Sequence, residues 1–307
     1  MKGLLRGVIL LGVMAGGAYA GLRVWPIGDT PSRITLEGDA RRGAYLARAS
    51  GCVACHTDTA ADGPALAGGA PLDTPFGSFA PPNITPDFAH GIGGWSKDDL
   101  ARALREGISP EGAPYYPAFP FEFYARFSDQ DIADLWAALA SVPPVAETRA
   151  ESDVAFPFSI RAGLKPWRAT ALREAETAPV LGRSEEWNRG RELVDGAAHC
   201  GACHTGRGLL GGLDARPFGG NDDLPGGSAA PSIRADDLRE EGWTASALAY
   251  ALETGITPSG DVFGGSMAEV VEQGTSFLDE ADRRAIATYL LDATLAPKAS
   301  DALAQLR

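Results

Sequence analysis

Apolar residues recur at helical spacing in short stretches separated by polar, Gly- and Pro-rich ones, which predicts a mainly α fold of short helices. The pattern predicts a helix over about 39–49 and a second starting near Trp95. Ser96 offers an N-cap there, and Asp98 and Asp99 suit the positive helix end. A third runs over about 129–139, with Ser128 as cap and Ile132, Leu135, Trp136 and Leu139 on one face. Three more follow the same plan: 185–195, one after Trp243 with Thr244 as cap, and 279–291.

The resemblance between these sets is a repeat. At an offset of 148, Gly94-Trp95 falls on Gly242-Trp243, Leu100 and Leu104 on Leu248 and Leu252, and Gly107-Ile108-Ser109-Pro110 on Gly255-Ile256-Thr257-Pro258. Smaller shifts bring Pro75-Phe76-Gly77 onto Pro217-Phe218-Gly219, and Pro82-Asn83-Ile84 onto Pro231-Ser232-Ile233. Arg42-Gly43 and Arg189-Gly190 sit in the first helix of each set. Two repeats are too few for a solenoid and predict duplicated domains, at 38–142 and 183–295. The stretch 143–182, rich in Pro, Glu and Arg, is the expected linker.

A different pattern opens the chain. Lys2 and Arg6 precede an uninterrupted apolar run from Gly7 to Leu22, followed by Arg23, Val24, Trp25 and Pro26. Sixteen apolar residues are short for a span of ~20. Arg23 could snorkel and Trp25 could sit at the interface to lengthen it. Residues 1–26 are therefore expected to be a membrane anchor; the alternative is a signal peptide cleaved after Ala18-Tyr19-Ala20. Both export the rest of the chain, to the outer side of a bacterial inner membrane or to the soluble periplasm.

The 307 residues are ordinary in composition, 45% hydrophobic and 22% charged, with a net charge of −13. That charge argues against nucleic acid as partner. Residues 1–177 carry −4 and residues 178–307 carry −9, which makes the second half the expected face for a basic partner.

The chemistry lies in the cysteines. There are four, Cys52, Cys55, Cys200 and Cys203, in two Cys-x-x-Cys-His motifs, CVACH and CGACH. This is the spacing of c-type haem attachment. Both thiols meet one porphyrin edge as thioethers, and the adjacent His56 or His204 lies under the iron as proximal ligand. Zinc would need all four cysteines to converge, and a redox dithiol would want a βαβ context. Two motifs that use every cysteine predict two covalently bound haems c.

An electron-transfer haem of this type often takes Met as sixth ligand. Outside the N-terminal segment the only methionine is Met267, 63 residues after His204 and ahead of an expected short helix; it is assigned to haem 2. The residue 63 after His56 is Phe119, which cannot ligate iron. Haem 1 is then five-coordinate or takes another ligand. His90, in a Gly-rich loop, is the spare histidine of the first repeat, with an ordinary exposed loop histidine as the alternative. His199 is expected at the surface or as a capping group.

These stretches resemble the cytochrome c subunits of bacterial membrane-bound dehydrogenases that oxidise alcohols, aldehydes, gluconate or other polyols. The matching segments are NITPDFAHGIGGWS, YPAFPFEFY, FPFSIRAGLKPW, EWNRG, HCGACHTGRGLLGG and GGSMAEVV, spread over nearly all of residues 38–291. The resemblance implies two tandem cytochrome c domains, each a few short helices around a covalent haem. It implies Asn83 and Trp95 near the propionates of haem 1, with Arg234 and Trp243 in analogous places at haem 2. It also implies electron transfer from a periplasmic or membrane dehydrogenase to a downstream cytochrome, quinone or oxidase. Many such subunits hold three haems, and many have Met where this chain has Phe119. The rival function is a peroxidase-like haem enzyme with an open site at haem 1.

Overall fold

The structure is a computed structural model that describes residues 2–28, 33–147, 151–172 and 175–292. Met1, residues 148–150 and 173–174 of the expected linker, and residues 293–295 of the expected second domain lie outside the described residues.

The apolar N-terminal run forms helix α1 (Lys2–Val24). At 1.5 Å per residue it is about 34 Å long, and it is the one helix among the described residues long and apolar enough to cross a membrane. The first half continues with α2 (Ala40–Ala49), α3 (Cys52–Cys55), the hairpin β1 (Leu72–Thr74) and β2 (Gly77–Phe79), α4 (Lys97–Ala101), α5 (Phe121–Tyr124) and α6 (Asp129–Ser141). The expected caps Ser96, Ser128 and Thr244 are in place, and Asp39, not foreseen as a cap, also serves as one. Asp39 accepts from the amides of Arg41 and Arg42, and Ser96 and Ser128 form reciprocal capping boxes with Asp99 and Asp131. The helix after Trp95 is shorter than a plain 3.6-residue reading suggests, because Arg102–Glu106 widens into a π turn. Gly107 ends it in the left-handed region, with the Phe121 ring so close that no side chain would fit.

Between the halves lie β3 (Asp153–Val154) and α7 (Leu164–Ala171). Parts of the segment expected as a linker therefore carry regular structure of their own. β3 adds antiparallel to β2 in the order β1-β2-β3, with Gly77 opposite Val154. This small sheet was not foreseen, since strands of two or three residues leave no alternation to read.

The second half contains α8 (Glu185–Glu192), α9 (Gly201–His204), α10 (Ala235–Glu240), α11 (Ala245–Thr254), α12 (Gly265–Gln273) and α13 (Glu280–Asp292). A second π turn, Leu193–Ala197, ends α8, so the expected 185–195 helix is α-helical only to Glu192.

The twin Arg-Gly pairs explain how each half closes. Gly43 lets α2 lie directly on α6: a Cβ there would stand 1.8 Å from the Asp134 carbonyl oxygen. Gly190 does the same for α8 on α13, 1.9 Å from the Ala285 oxygen. The neighbouring arginines lock the contacts through two hydrogen bonds each. Arg42 donates to Asp134 at 2.7 and 2.9 Å, and Arg189 to Asp282 at 2.8 and 2.7 Å. Arg42 holds the Asp134 carboxyl below its ordinary value.

One core runs through both halves, from Ile132 and Leu135 in α6 to Leu193, Val194 and Ile286. Polar bonds cross the same seam: Tyr45 Oη donates to Asp282 at 2.8 Å, and Arg126 Nε donates to the Asp195 carbonyl at 3.0 Å.

Candidate functional site

Each Cys-x-x-Cys-His motif occupies a single helical turn, which sets its two thiols and its histidine within one short arc. No disulfide closes either pair. Burial pushes the half-buried Cys52 and Cys200 thiols up to about 12. A dithiol redox centre needs the opposite, a thiol lowered toward neutrality.

The histidines are oriented by backbone. His56 Nδ1 lies 2.7 Å from the Pro82 carbonyl oxygen, and His204 Nδ1 lies 2.8 Å from that of Pro231. A carbonyl only accepts, so Nδ1 carries the proton and donates it, and Nε2 keeps a free lone pair. Burial lowers the pKa of both rings and outweighs the carbonyl bond, so both are neutral at pH 7. A neutral imidazole with Nε2 bare and Nδ1 fixed from behind is the state an iron ligand needs.

The same cradle surrounds each ring. The His56 carbonyl accepts from Gly68 N at 2.9 Å, and that of His204 from Gly220 N at 3.0 Å. The next residue is threonine in both motifs. Thr57 Oγ1 accepts from Leu66 N, and Thr205 Oγ1 from Phe218 N. Leu66 and Phe218 are buried and left-handed, with φ of 62° and 63°. Each carbonyl then accepts from an isoleucine amide, Ile84 or Ile233, two residues past the proline that holds the histidine. Two bulky side chains in the left-handed region cost about 1–3 kcal/mol each and persist where the surroundings impose them. The repeat offered Pro82 and Pro231 as matched positions, but their carbonyls, the two threonines and the strained pair carry no motif of their own and went unread.

The offset of 148 also holds in the segments that lead to Phe119 and Met267. Tyr115 N donates to Gly107 O and Phe263 N to Gly255 O, both at 2.8 Å. Ser109 N bonds Ala113 O as Thr257 N bonds Asp261 O. Four residues beyond each paired bond stand Phe119 and Met267, both half-buried against the core. Met267 lies in the first turn of α12 rather than ahead of a helix. Phe119 packs among aromatic rings, 5.7 Å from Tyr115, 6.4 Å from Phe121 and 5.8 Å from Tyr124 between centroids.

The other expected residues are placed as follows. His90 is exposed, and Asp87 Oδ1 accepts from its amide and lies 3.1 Å from its Nδ1. Its loop is tied by Ile92 N to Thr85 O, beside the Asn83 knot. Asn83 is buried; Oδ1 accepts from Thr85 N and Oγ1, and Nδ2 donates to Val145 O at 2.7 Å. Trp95 and Trp243 are half-buried against the core, and Trp243 stacks on Phe263. Arg234 stands at the N-cap of α10.

His199 is half-buried and takes the capping alternative: its Nδ1 lies 2.9 Å from the Ala197 carbonyl oxygen, the last residue of the π turn. Its ring lies between the halves, 6.2 Å from Phe123 and 5.6 Å from Tyr124. Its Cε1 comes within 3.2 Å of where a Gly51 side chain would begin. Tyr124 Oη donates to Ser50 O at 2.6 Å, and α12 packs on α3. The two motifs therefore lie close together, and the half-to-half packing around His199 leaves no trace in local pattern.

The histidine–carbonyl pairs, the thiols on one turn and the bare Nε2 atoms fit a covalently attached haem at each motif. No protein-family model matches the chain. A dihaem c-type cytochrome of Cereibacter sphaeroides is 42% identical over 288 residues, 91% of this chain and 94% of that protein. The fructose dehydrogenase cytochrome subunit of Gluconobacter japonicus is 38% identical over 89% of this chain and 56% of its own length. The cytochrome c subunit of the alcohol dehydrogenase (quinone) of Gluconobacter oxydans is 37% identical over 92% and 60%. The chain thus spans little more than half of these two dehydrogenase subunits.

Proposed function

Because the chain belongs to the family of c-type cytochromes that includes a dihaem cytochrome and the cytochrome c subunits of alcohol, fructose and gluconate dehydrogenases, we propose that it carries two haems c in tandem cytochrome c domains and relays electrons on the periplasmic side of a bacterial inner membrane. Electron transfer is the family's work, with covalently bound haem c as its cofactor. Electrons would enter from a periplasmic or membrane-bound dehydrogenase and leave to another cytochrome, a quinone or an oxidase. Helix α1 would anchor the chain in the membrane.

The observation that carries this reading is the duplicated cradle, His56 to Pro82 and His204 to Pro231. Cys52 and Cys55, and Cys200 and Cys203, would hold the two porphyrins through thioethers. The chemistry supplied by each bound haem is one-electron cycling between ferric and ferrous iron. His56 and His204 would ligate through Nε2. Their Nδ1–H bonds fix the tautomer and make each imidazole a better donor. Met267 would be the sixth ligand at the second site. At the first, Phe119 offers no lone pair, and Asp87 holds His90 in its own loop. Asn83, Trp95, Arg234 and Trp243 stand as candidate propionate neighbours.

A second reading draws on Phe119: an open first site that binds or reacts with small ligands. The rings around Phe119 argue for binding at most. Burial holds the Tyr115 phenol up to about 12 and Tyr124 well above its usual value, so neither trades protons near neutrality.

A potentiometric titration of the full chain, followed in the visible spectrum, tests both readings. Two separate one-electron steps are expected, with carbon monoxide binding to one reduced haem. A single step, or two indistinguishable haems that both resist carbon monoxide, would refute the proposed asymmetry.

A further inference from the structure

Beyond the haem sites, one surface feature calls for a partner. The strap between the halves carries large apolar side chains in water: Phe156 is 81% exposed, Phe158 41% and Ile160 41%. In the second half, Leu209 and Leu210 are 96% and 69% exposed. Isolated exposed apolar residues need no explanation, but a contiguous group does.

The strap and the loop that carries Leu209 and Leu210 are brought together through Phe76 and Trp167. The Phe158 ring packs edge-on against Phe76 at 4.8 Å, and Phe76 in turn reaches within 3.4 Å of where a Gly211 side chain would begin. Trp167 Nε1 donates to the Leu210 carbonyl at 2.8 Å. The strap is also fastened to the foot of α1. Lys165 Nζ donates to the carbonyls of Arg23 at 2.9 Å and Trp25 at 2.6 Å, and the turn Arg161–Gly163 packs on α1. A lysine on the last carbonyls of a helix completes their hydrogen bonding and complements the helix dipole. The apolar group is thus continuous with the end of α1, among Arg23, Trp25, Arg161 and Lys165. Aromatic and basic side chains of this kind favour the boundary between headgroups and acyl chains.

We propose that Phe156, Phe158, Ile160, Leu209 and Leu210 form a rim that dips into the membrane interface beside α1, so that the haem-bearing body lies on the bilayer instead of hanging from a tether. This rests on the anchor reading for its starting point, and it adds an orientation: the loop that follows the second haem motif faces the lipid. Side chains on such a rim enter roughly 5–10 Å into the headgroup region.

Nitroxide labels test it. In a dihaem chain the native cysteines are thioethers, so Phe156→Cys and Leu209→Cys each supply the one reactive thiol. Val13→Cys reports α1, and Glu240→Cys, exposed on α10, reports water. The full chain is reconstituted in phosphatidylethanolamine–phosphatidylglycerol vesicles, and its N-terminus is read by mass spectrometry. The oxygen-to-nickel-chelate accessibility ratio should be several-fold higher at 156 and 209 than at 240. Ratios at 156 and 209 equal to that at 240, with Val13→Cys deep in hydrocarbon, would leave the anchor standing and overturn the rim. If the chain instead begins at Gly21, the anchor reading fails. The same two labels on the cleaved chain with vesicles then decide the rim alone: interfacial ratios uphold it, aqueous ratios end it.

Discussion

Replacing Met267 by Ala is expected to lower the potential of one haem by on the order of 0.2 V, within the ~0.8 V that axial ligands command, and to leave the other unchanged. A thioether stabilises ferrous iron relative to an imidazole or an empty position, so its loss favours the ferric state. The weak Met-to-iron charge-transfer band of the ferric protein should vanish with it. The reciprocal variant, Phe119→Met, puts sulfur at the matched position of the first half. It should raise the lower potential by a similar amount and abolish carbon monoxide binding. Methionine is flexible enough to take up the space of the ring with little loss of packing. The backbone bonds that flank the two positions match at an offset of 148, from Tyr115–Gly107 to Phe263–Gly255. A Met267→Ala protein with unchanged potentials and an intact charge-transfer band would make Met267 a core residue. A Phe119→Met protein with no shift would break the equivalence of the two positions.

The largest stability effect is expected at the helix crossings. Gly43→Leu or Gly190→Leu forces a side chain into backbone carbonyls less than 2 Å from the new Cβ. No rotamer relieves a clash at Cβ, so α2 must lift from α6, or α8 from α13. Overpacking of this kind costs about 3 kcal/mol or more, whereas removing a helical glycine returns only about 1 kcal/mol. For a chain of this size the melting temperature should fall by roughly 6 °C or more. Gly94→Ala is the control, since nothing lies within 4 Å of its Cβ position. Calorimetry of the three proteins checks this: equal melting temperatures would mean that the crossings tolerate separation.

The local shape of each motif was legible in the sequence because a fixed spacing implies a fixed turn. Cys-x-x-Cys-His needs one helical turn, and one turn is what Cys52–Cys55 and Gly201–His204 form. Caps at Ser96, Ser128 and Thr244 were legible for the same local reason. What stayed hidden is non-local. The carbonyls of Pro82 and Pro231 act 26 and 27 residues from their histidines, and a carbonyl is present at every residue. The placement of His199 depends on packing between halves 70 residues or more apart in sequence. The strands at 72–79 and 153–154 are held by pairing across the intervening chain, and they are too short for their own residues to announce them.

The central claim is that each motif holds one covalent haem. The intact mass of the denatured full chain, after acid-acetone extraction, tests it most directly, with Cys52→Ala/Cys55→Ala and Cys200→Ala/Cys203→Ala measured alongside. The account predicts the mass of the polypeptide plus two haems for the unmodified chain and plus one for each double variant. Zero or one haem on the unmodified chain, or two on either double variant, would contradict it.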